Sequence, residues 1–177
     1  MKYLITLPWM PYPATDGGKQ GSFNMLMELQ NMIDITLIYP VFFKKQMACQ
    51  YLLEKQLPKV KVYPFEYYKN KDGIKWQYSL FRLHRIITRK FLKQPYLATP
   101  IYKDAYIDFV NEIIKKERID IVQNEYFEQL YMVYAIPNTV KKVFIQHEIQ
   151  YIAKERLIQQ REYPSSVRYL ATMQRIQ

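Results

Sequence analysis

Four short runs in this chain are mostly apolar on both faces: ITL at 5–7, ITLIY at 35–39, DIVQ at 120–123 and VFIQ at 143–146. A strand of that kind cannot lie on an open surface and belongs in a parallel sheet covered by helices on both sides. Between these runs the apolar period changes from two to about 3.6. The pattern predicts strand over 2–7, helix over 19–31, strand over 34–39, helix over 44–56 and strand over 59–65. After a proline-punctuated break at 94–100 it predicts a helix over 101–117, strands over 119–123 and 143–146, and a last helical run from about 149. Strand and helix alternate, so the expected fold is α/β: a Rossmann-like, doubly wound, mostly parallel sheet with helices on both faces. A chain of 177 residues, 49% of them hydrophobic, can bury one good core, and its length predicts a single domain.

The single cysteine, Cys49, rules out an intrachain disulfide, and no Cys/His cluster has zinc-site spacing, so no metal is expected and a reducing compartment is the simplest reading. The first residues carry one lysine and a short apolar run broken by Pro8, with no small-residue cleavage site, and nowhere do 18 apolar residues follow one another. A cytoplasmic protein without a membrane span is expected. The formal charge of +10 points to an anionic partner or surface without saying which kind.

The first strand leaves through ITLPWMPYPATDGGKQGSFNML, with Pro8, Pro11 and Pro13 ahead of Gly17 and Gly18 and a helical run from Lys19. An open parallel sheet binds ligands beyond the carboxyl ends of its strands, where this loop lies. Two glycines there permit positive φ and close approach of a ligand, and the helix that follows offers free N–H groups to a phosphate. The same pair also serves simply as a turn. GGKQGS lacks P-loop spacing, no G-x-G-x-x-G follows the strand, and the second strand ends in Tyr39 and Pro40 with no acid to hold a dinucleotide ribose. His147 follows an apolar strand at the edge where ligands gather; it can hydrogen-bond a sugar hydroxyl or exchange a proton, or be structural. Glu125 can accept from a substrate hydroxyl or interact with the start of the next helix. His84, between Arg82 and Arg85, reads as a solvated or packing residue.

Three segments carry a family resemblance. The first strand with PYP, a spacer, GG and a basic helix start resembles the N-terminal domain of family 4 glycosyltransferases, retaining enzymes of the GT-B fold with two Rossmann-like domains. VFIQHEIQYIAKERL, 143–157, is similar to the family's strand ending in His and the helix after it, and DIVQNEYFEQ, 120–129, to its strand ending in a polar or acidic residue. The resemblance implies transfer of a sugar from a nucleotide-diphosphate donor to the hydroxyl of a sugar or lipid-linked acceptor, with retention, as in cell-envelope polysaccharide synthesis. It implies no cofactor beyond that donor substrate. By the same resemblance Gly17, Gly18 and Lys19 would meet the donor phosphate, His147 would be catalytic, and Glu125 and Glu148 would lie on the acceptor side. Glu148 stands where the family often has Asn or Asp, and Gln150 where Glu is frequent. The family's main diphosphate-binding lysine and arginine and its acidic pair belong to a C-terminal domain. Residues 1–177 are therefore expected to be the acceptor-side half, inactive without that domain.

Residues 69–93 carry eight basic side chains against one acid, Asp72. On a helical wheel Trp76, Leu80, Leu83, Ile87 and Phe91 fall in one sector and Arg82, Arg85, Arg89 and Lys93 roughly opposite. Such a helix either covers a core with its charged side in water or docks on anionic lipid, peripheral at the inner face of a membrane, with Tyr67, Tyr68, Trp76 and Tyr78 at headgroup level. The alternative class is a non-enzymatic basic module binding nucleic acid or anionic membrane. No nucleic-acid motif is present, so no nucleic-acid partner is expected.

Overall fold

The computed structural model describes residues 1–69, 103–126 and 129–147. The strands are β1 (Lys2–Thr6), β2 (Asp34–Val41), β3 (Lys61–Glu66), β4 (Ile121–Glu125) and β5 (Lys141–Ile145). All four pairings are parallel and the order is β3-β2-β1-β4-β5, the Rossmann-like sheet that the alternation predicts. The helices are α1 (Gly17–Leu29), α2 (Met47–Gln56), α3 (Lys103–Glu117) and α4 (Leu130–Ala135). The sheet and helices make one compact unit, Met1–Lys71 with Tyr102–Ile145.

Alternate strand residues feed two separate cores. Ile5, Leu37, Tyr39 and Val41 pack with Leu26 of α1 and Leu53 of α2. Leu4, Ile38 and Val122 pack on the other face with Tyr106, Val110 and Ile113 of α3 and Met132 of α4. The buried positions 106, 110, 113, 114 and 117 of α3 recur at helical spacing, which forms the stripe that covers this face. Helices on both faces explain why β1 and β2 have no polar side.

Element ends differ from the sequence expectation where local chemistry decides them. Helix α1 starts at Gly17, not Lys19, because Asp16 is its N-cap: extended at φ −140°, it accepts the Lys19 N–H at 2.9 Å. Both glycines are therefore helical, and the positive φ that they permit is not used at any described glycine. The helix expected over 44–56 divides into a 3-10 turn, Lys44–Gln46, and α2, with the Gln46 carboxamide accepting the Phe42 and Phe43 N–H groups at 2.9 Å each. Strand β4 runs on to Glu125, and α4 was not foreseen. Helix α3 ends in a Schellman arrangement, with Ile119 N–H bonded to Ile114 O at 3.1 Å, Arg118 N–H to Lys115 O at 3.3 Å, and Arg118 left-handed at φ 55°. The basic stripe Arg82, Arg85, Arg89 and Lys93, His84, Glu148 and the helix expected from 149 lie outside the described residues. No described helix is long and apolar enough to cross a membrane.

Candidate functional site

The strand order reverses between β1 and β4: β1 leads towards β2 and β3 on one side, β4 towards β5 on the other. Ligands of open α/β sheets bind at the carboxyl ends of the two strands flanking such a switch. Here those ends are Thr6 and Asn124, paired in register, followed by the loop 7–16 and by Glu125 and Tyr126.

The loop is not loose. Leu7 continues the β1–β2 ladder through its N–H to Ile38 O at 2.9 Å, and Leu7, Pro8, Met10 and Pro11 are buried. Trp9 lies against Tyr126 with ring centroids 4.6 Å apart. After this anchored stretch the chain surfaces at Asp16 and Gly17.

The two glycines differ. At Gly17 a Cβ would meet nothing within 4 Å, so the space beside the first residue of α1 is open. At Gly18 a Cβ would lie 3.2 Å from the Tyr126 hydroxyl oxygen. Gly18 is small because a neighbouring side chain packs against it, whereas Gly17 leaves room for something from outside.

A polar network fixes this helix start to β4. The Tyr126 hydroxyl donates to Gly18 O at 2.9 Å and lies 3.1 Å from Ser22 Oγ, which in turn is 3.3 Å from Glu125 Oε2. Gln123 Nε2 donates to Glu125 Oε1 at 2.6 Å, and the Tyr3 hydroxyl donates to Gln123 Oε1 at 2.7 Å. Burial, reinforced by the Glu125 charge, holds the Tyr3 phenol above its usual range. Two hydroxyl protons serve the three contacts of Ser22 and Tyr126. With Tyr126 donating to Gly18, the Ser22 proton goes either to Glu125 or to Tyr126. Glu125 is fully enclosed and accepts from Ser22 in the second turn of α1. Both Glu125 carboxylate oxygens are bonded, Oε2 from Ser22 of α1 and Oε1 from Gln123 of β4.

Lys19 does not stand free for a phosphate. Its ammonium lies 3.3 Å from Asp16 Oδ2 and 3.3 Å from Thr15 Oγ1. The Asp16 carboxyl is held below its ordinary range, first by the Lys19 backbone N–H and then by the Lys19 side chain. A carboxylate of the protein's own thus occupies part of the anion position at the head of α1. Sequence reasoning missed Asp16, although an aspartate just before a helical run is an N-cap signal. It also missed Ser22 and Tyr126, whose roles depend on contacts 103 and 104 residues apart in the chain.

Gly18, Ser22, Glu125 and Tyr126 come together, with Gly17 and Lys19 on the adjoining turn. His147 is exposed, two residues beyond β5, and does not belong to the compact unit that holds the others. A depression of about 400 Å³, lined by Gln30, Asn31, Asp34 and Lys59 among others, lies at the amino ends of the strands. There the polar groups bond one another, Lys59 Nζ to Asn31 Oδ1 at 2.9 Å for example, and no reactive pair faces the space. Among the described residues no group of three or more His, Cys, Asp or Glu side chains is arranged to hold a metal ion. Comparison with protein-family models and with curated proteins returned no match to this chain.

Proposed function

We propose that this chain is the acceptor-side half of a retaining glycosyltransferase, which moves a sugar from a nucleotide-diphosphate donor to an acceptor hydroxyl. The observation that carries the reading is the exposed head of α1 at the β1–β4 switch point: Gly17 is open to approach, and the turn behind it is tied down by Tyr126 and Ser22. A leaving diphosphate needs fixed N–H donors aimed at its developing charge, and a helix start held rigidly from behind supplies them without reorganisation. The order of the PYP–GG segment, the DIVQNE strand and the strand ending at His147 supports the same reading by resemblance. In it Lys19, already paired with Asp16, lies at the head of α1 beside the phosphate, and Glu125 shapes the acceptor side through Ser22; by the resemblance His147 would be the catalytic group. The basic segment 69–93 would hold such an enzyme electrostatically against anionic lipid, where lipid-linked acceptors reside.

The test is calorimetric titration of uridine, adenosine and guanosine diphosphates into the protein and its Gly17→Val variant. The reading predicts binding of at least one of them, weakened about tenfold or more in the variant at unchanged melting temperature. Absence of binding, or equal affinities, contradicts it.

A further inference from the structure

The depression at the amino ends of the strands gathers opposite charges that do not pair. Its walls come from three neighbouring connections: Gln30 to Ile33 after α1, Asp34 at the start of β2, and Lys59 in the turn before β3. The Asp34 carboxylate makes no hydrogen bond or ion pair among the described residues; Lys61 interacts with it only at longer range and is bonded to Glu117 at 2.6 Å. The Lys59 ammonium donates to Asn31 Oδ1 at 2.9 Å and meets no acid among the described residues. Helix α1 ends here with no basic residue in its last turn, so the helix itself leaves the partial negative charge of its carboxyl end uncompensated.

An amide in the same wall is held weakly. Gln30 is only 8% exposed, yet its Oε1 accepts the Lys59 N–H at 3.5 Å and its Nε2 reaches only the Met27 thioether at 3.6 Å. A thioether sulfur is a weak acceptor, and the carboxamide keeps a second N–H and a second lone pair to offer. A buried amide bonded this loosely carries a desolvation penalty that a ligand with better partners removes. The turn beside it is fixed, because the Met32 and Ile33 N–H groups both bond Leu29 O, at 2.9 and 3.1 Å. Met32 is 75% exposed, and with Met1 and Ile33 it gives the depression an apolar lining. The volume of about 400 Å³ falls within the range of about 300–1,000 Å³ usual for small-molecule sites.

We propose that this depression binds a small zwitterion with an apolar side chain, the chemistry of a free apolar amino acid. Asp34 and the carboxyl end of α1 attract its ammonium, Lys59 and the Gln30 N–H₂ its carboxylate, and Met32 its side chain. A ligand with a negative charge alone would be repelled by Asp34 and the helix end, and one with a positive charge alone by Lys59, so both charges are needed. The site lies at the opposite strand ends from the head of α1 and rests on neither the glycosyltransferase reading nor a bound diphosphate.

The experiment is a ¹⁵N NMR titration of the 177-residue chain with free leucine, methionine and phenylalanine up to tens of millimolar, followed at the amides of Gln30, Asn31 and Asp34. At least one should bind there with millimolar affinity, the strength that solvent-screened charges allow. The amide of that amino acid, which lacks the carboxylate, and its deamino acid, which lacks the ammonium, should each bind about tenfold more weakly or worse. The same loss is expected for the amino acid itself with Lys59→Met and with Asp34→Asn, at unchanged melting temperature. Should Lys59→Met lose stability with its bond to Asn31, Asp34→Asn, which breaks no hydrogen bond, is read in its place. No binding, shifts centred on other residues, equal binding of a singly charged analogue, or equal affinity in a folded variant overturns the proposal.

Discussion

The hydroxyl of Tyr126 donates to the carbonyl oxygen of Gly18 at 2.9 Å, joining the end of β4 to the first turn of α1 across 108 positions of sequence. The Tyr126 hydroxyl oxygen would stand 3.2 Å from a methyl group at position 18, so the two residues are mutually fitted. Gly18→Ala alone should destabilise by about 0.5–1 kcal/mol, the strain of displacing a bonded hydroxyl outweighing the better helix propensity. Tyr126→Phe should cost about 0.5–1.5 kcal/mol for the lost bonds. With the hydroxyl gone, Gly18→Ala should become neutral or stabilising, a coupling of about 1 kcal/mol in a urea-denaturation double-mutant cycle. Additive effects would show that the contact does not constrain position 18.

Asp16 and any bound phosphate compete for the same end of α1. Asn and Asp are about equal as N-caps, so Asp16→Asn should keep the helix start and remove the negative charge. Nucleoside diphosphate affinity should rise severalfold at low salt, and the gain should shrink as salt is added. Unchanged affinity would move the diphosphate away from α1.

The Lys61 ammonium bonds Glu117 Oε2 at 2.6 Å and the Tyr63 hydroxyl bonds Oε1 at 2.7 Å. Lys61 first and Tyr63 second hold the Glu117 carboxyl below its ordinary value of 4.5, and Glu117 raises Lys61 above 10.5. A lowered carboxyl stabilises the fold fully above its unfolded value and loses that contribution as pH falls through the folded one; a raised lysine does so below its unfolded value and loses it as pH rises through the folded one. The destabilisation caused by Glu117→Gln should therefore be constant through neutral pH and fade in acid below about 4.5. Urea midpoints across pH 3–8 check this. Exposure of Lys61 keeps the effect small, and a difference that persists unchanged at pH 3 would assign it to packing.

Arg118 occupies the left-handed position that closes α3, at φ 55°. The cost of that conformation for a residue with Cβ is about 1–2 kcal/mol, and glycine gives back about 0.4–1 kcal/mol in unfolded-chain entropy. Arg118→Gly should thus stabilise by about 0.5–1 kcal/mol in urea denaturation. A loss would mean that the arginine side chain contributes more than its backbone costs.

The sheet could be read in advance because its evidence is local: ITLIY has to be buried on both faces wherever it lies in the chain, and β2 is buried from Ile35 to Val41. Gly17 and Gly18 were recognisable as a loop-to-helix junction for the same reason. Their difference was not, because it is created by Tyr126, more than a hundred residues later, filling the space beside one of them. Glu125 read as a carboxylate at a strand end, facing a ligand or the next helix; Ser22 and Gln123 bond it, and nothing in DIVQNE announces those partners. Residues that act through tertiary contacts leave no periodic trace. Asp16 is the exception, since its cap is written within three residues of chain.

The central claim is that the head of α1 at the β1–β4 switch point receives a diphosphate, and amide-resolved NMR tests it most directly. Uridine, adenosine and guanosine diphosphates are titrated into the ¹⁵N-labelled protein while the backbone resonances are followed. The account predicts saturable shifts centred on the Gly17, Gly18 and Lys19 amides and the Trp9 indole, abolished by Gly17→Val, while the amides around Gln30 and Asn31 at the opposite strand ends stay still. Shifts centred on those distant residues, or none at Gly17 at saturating nucleotide, would contradict it.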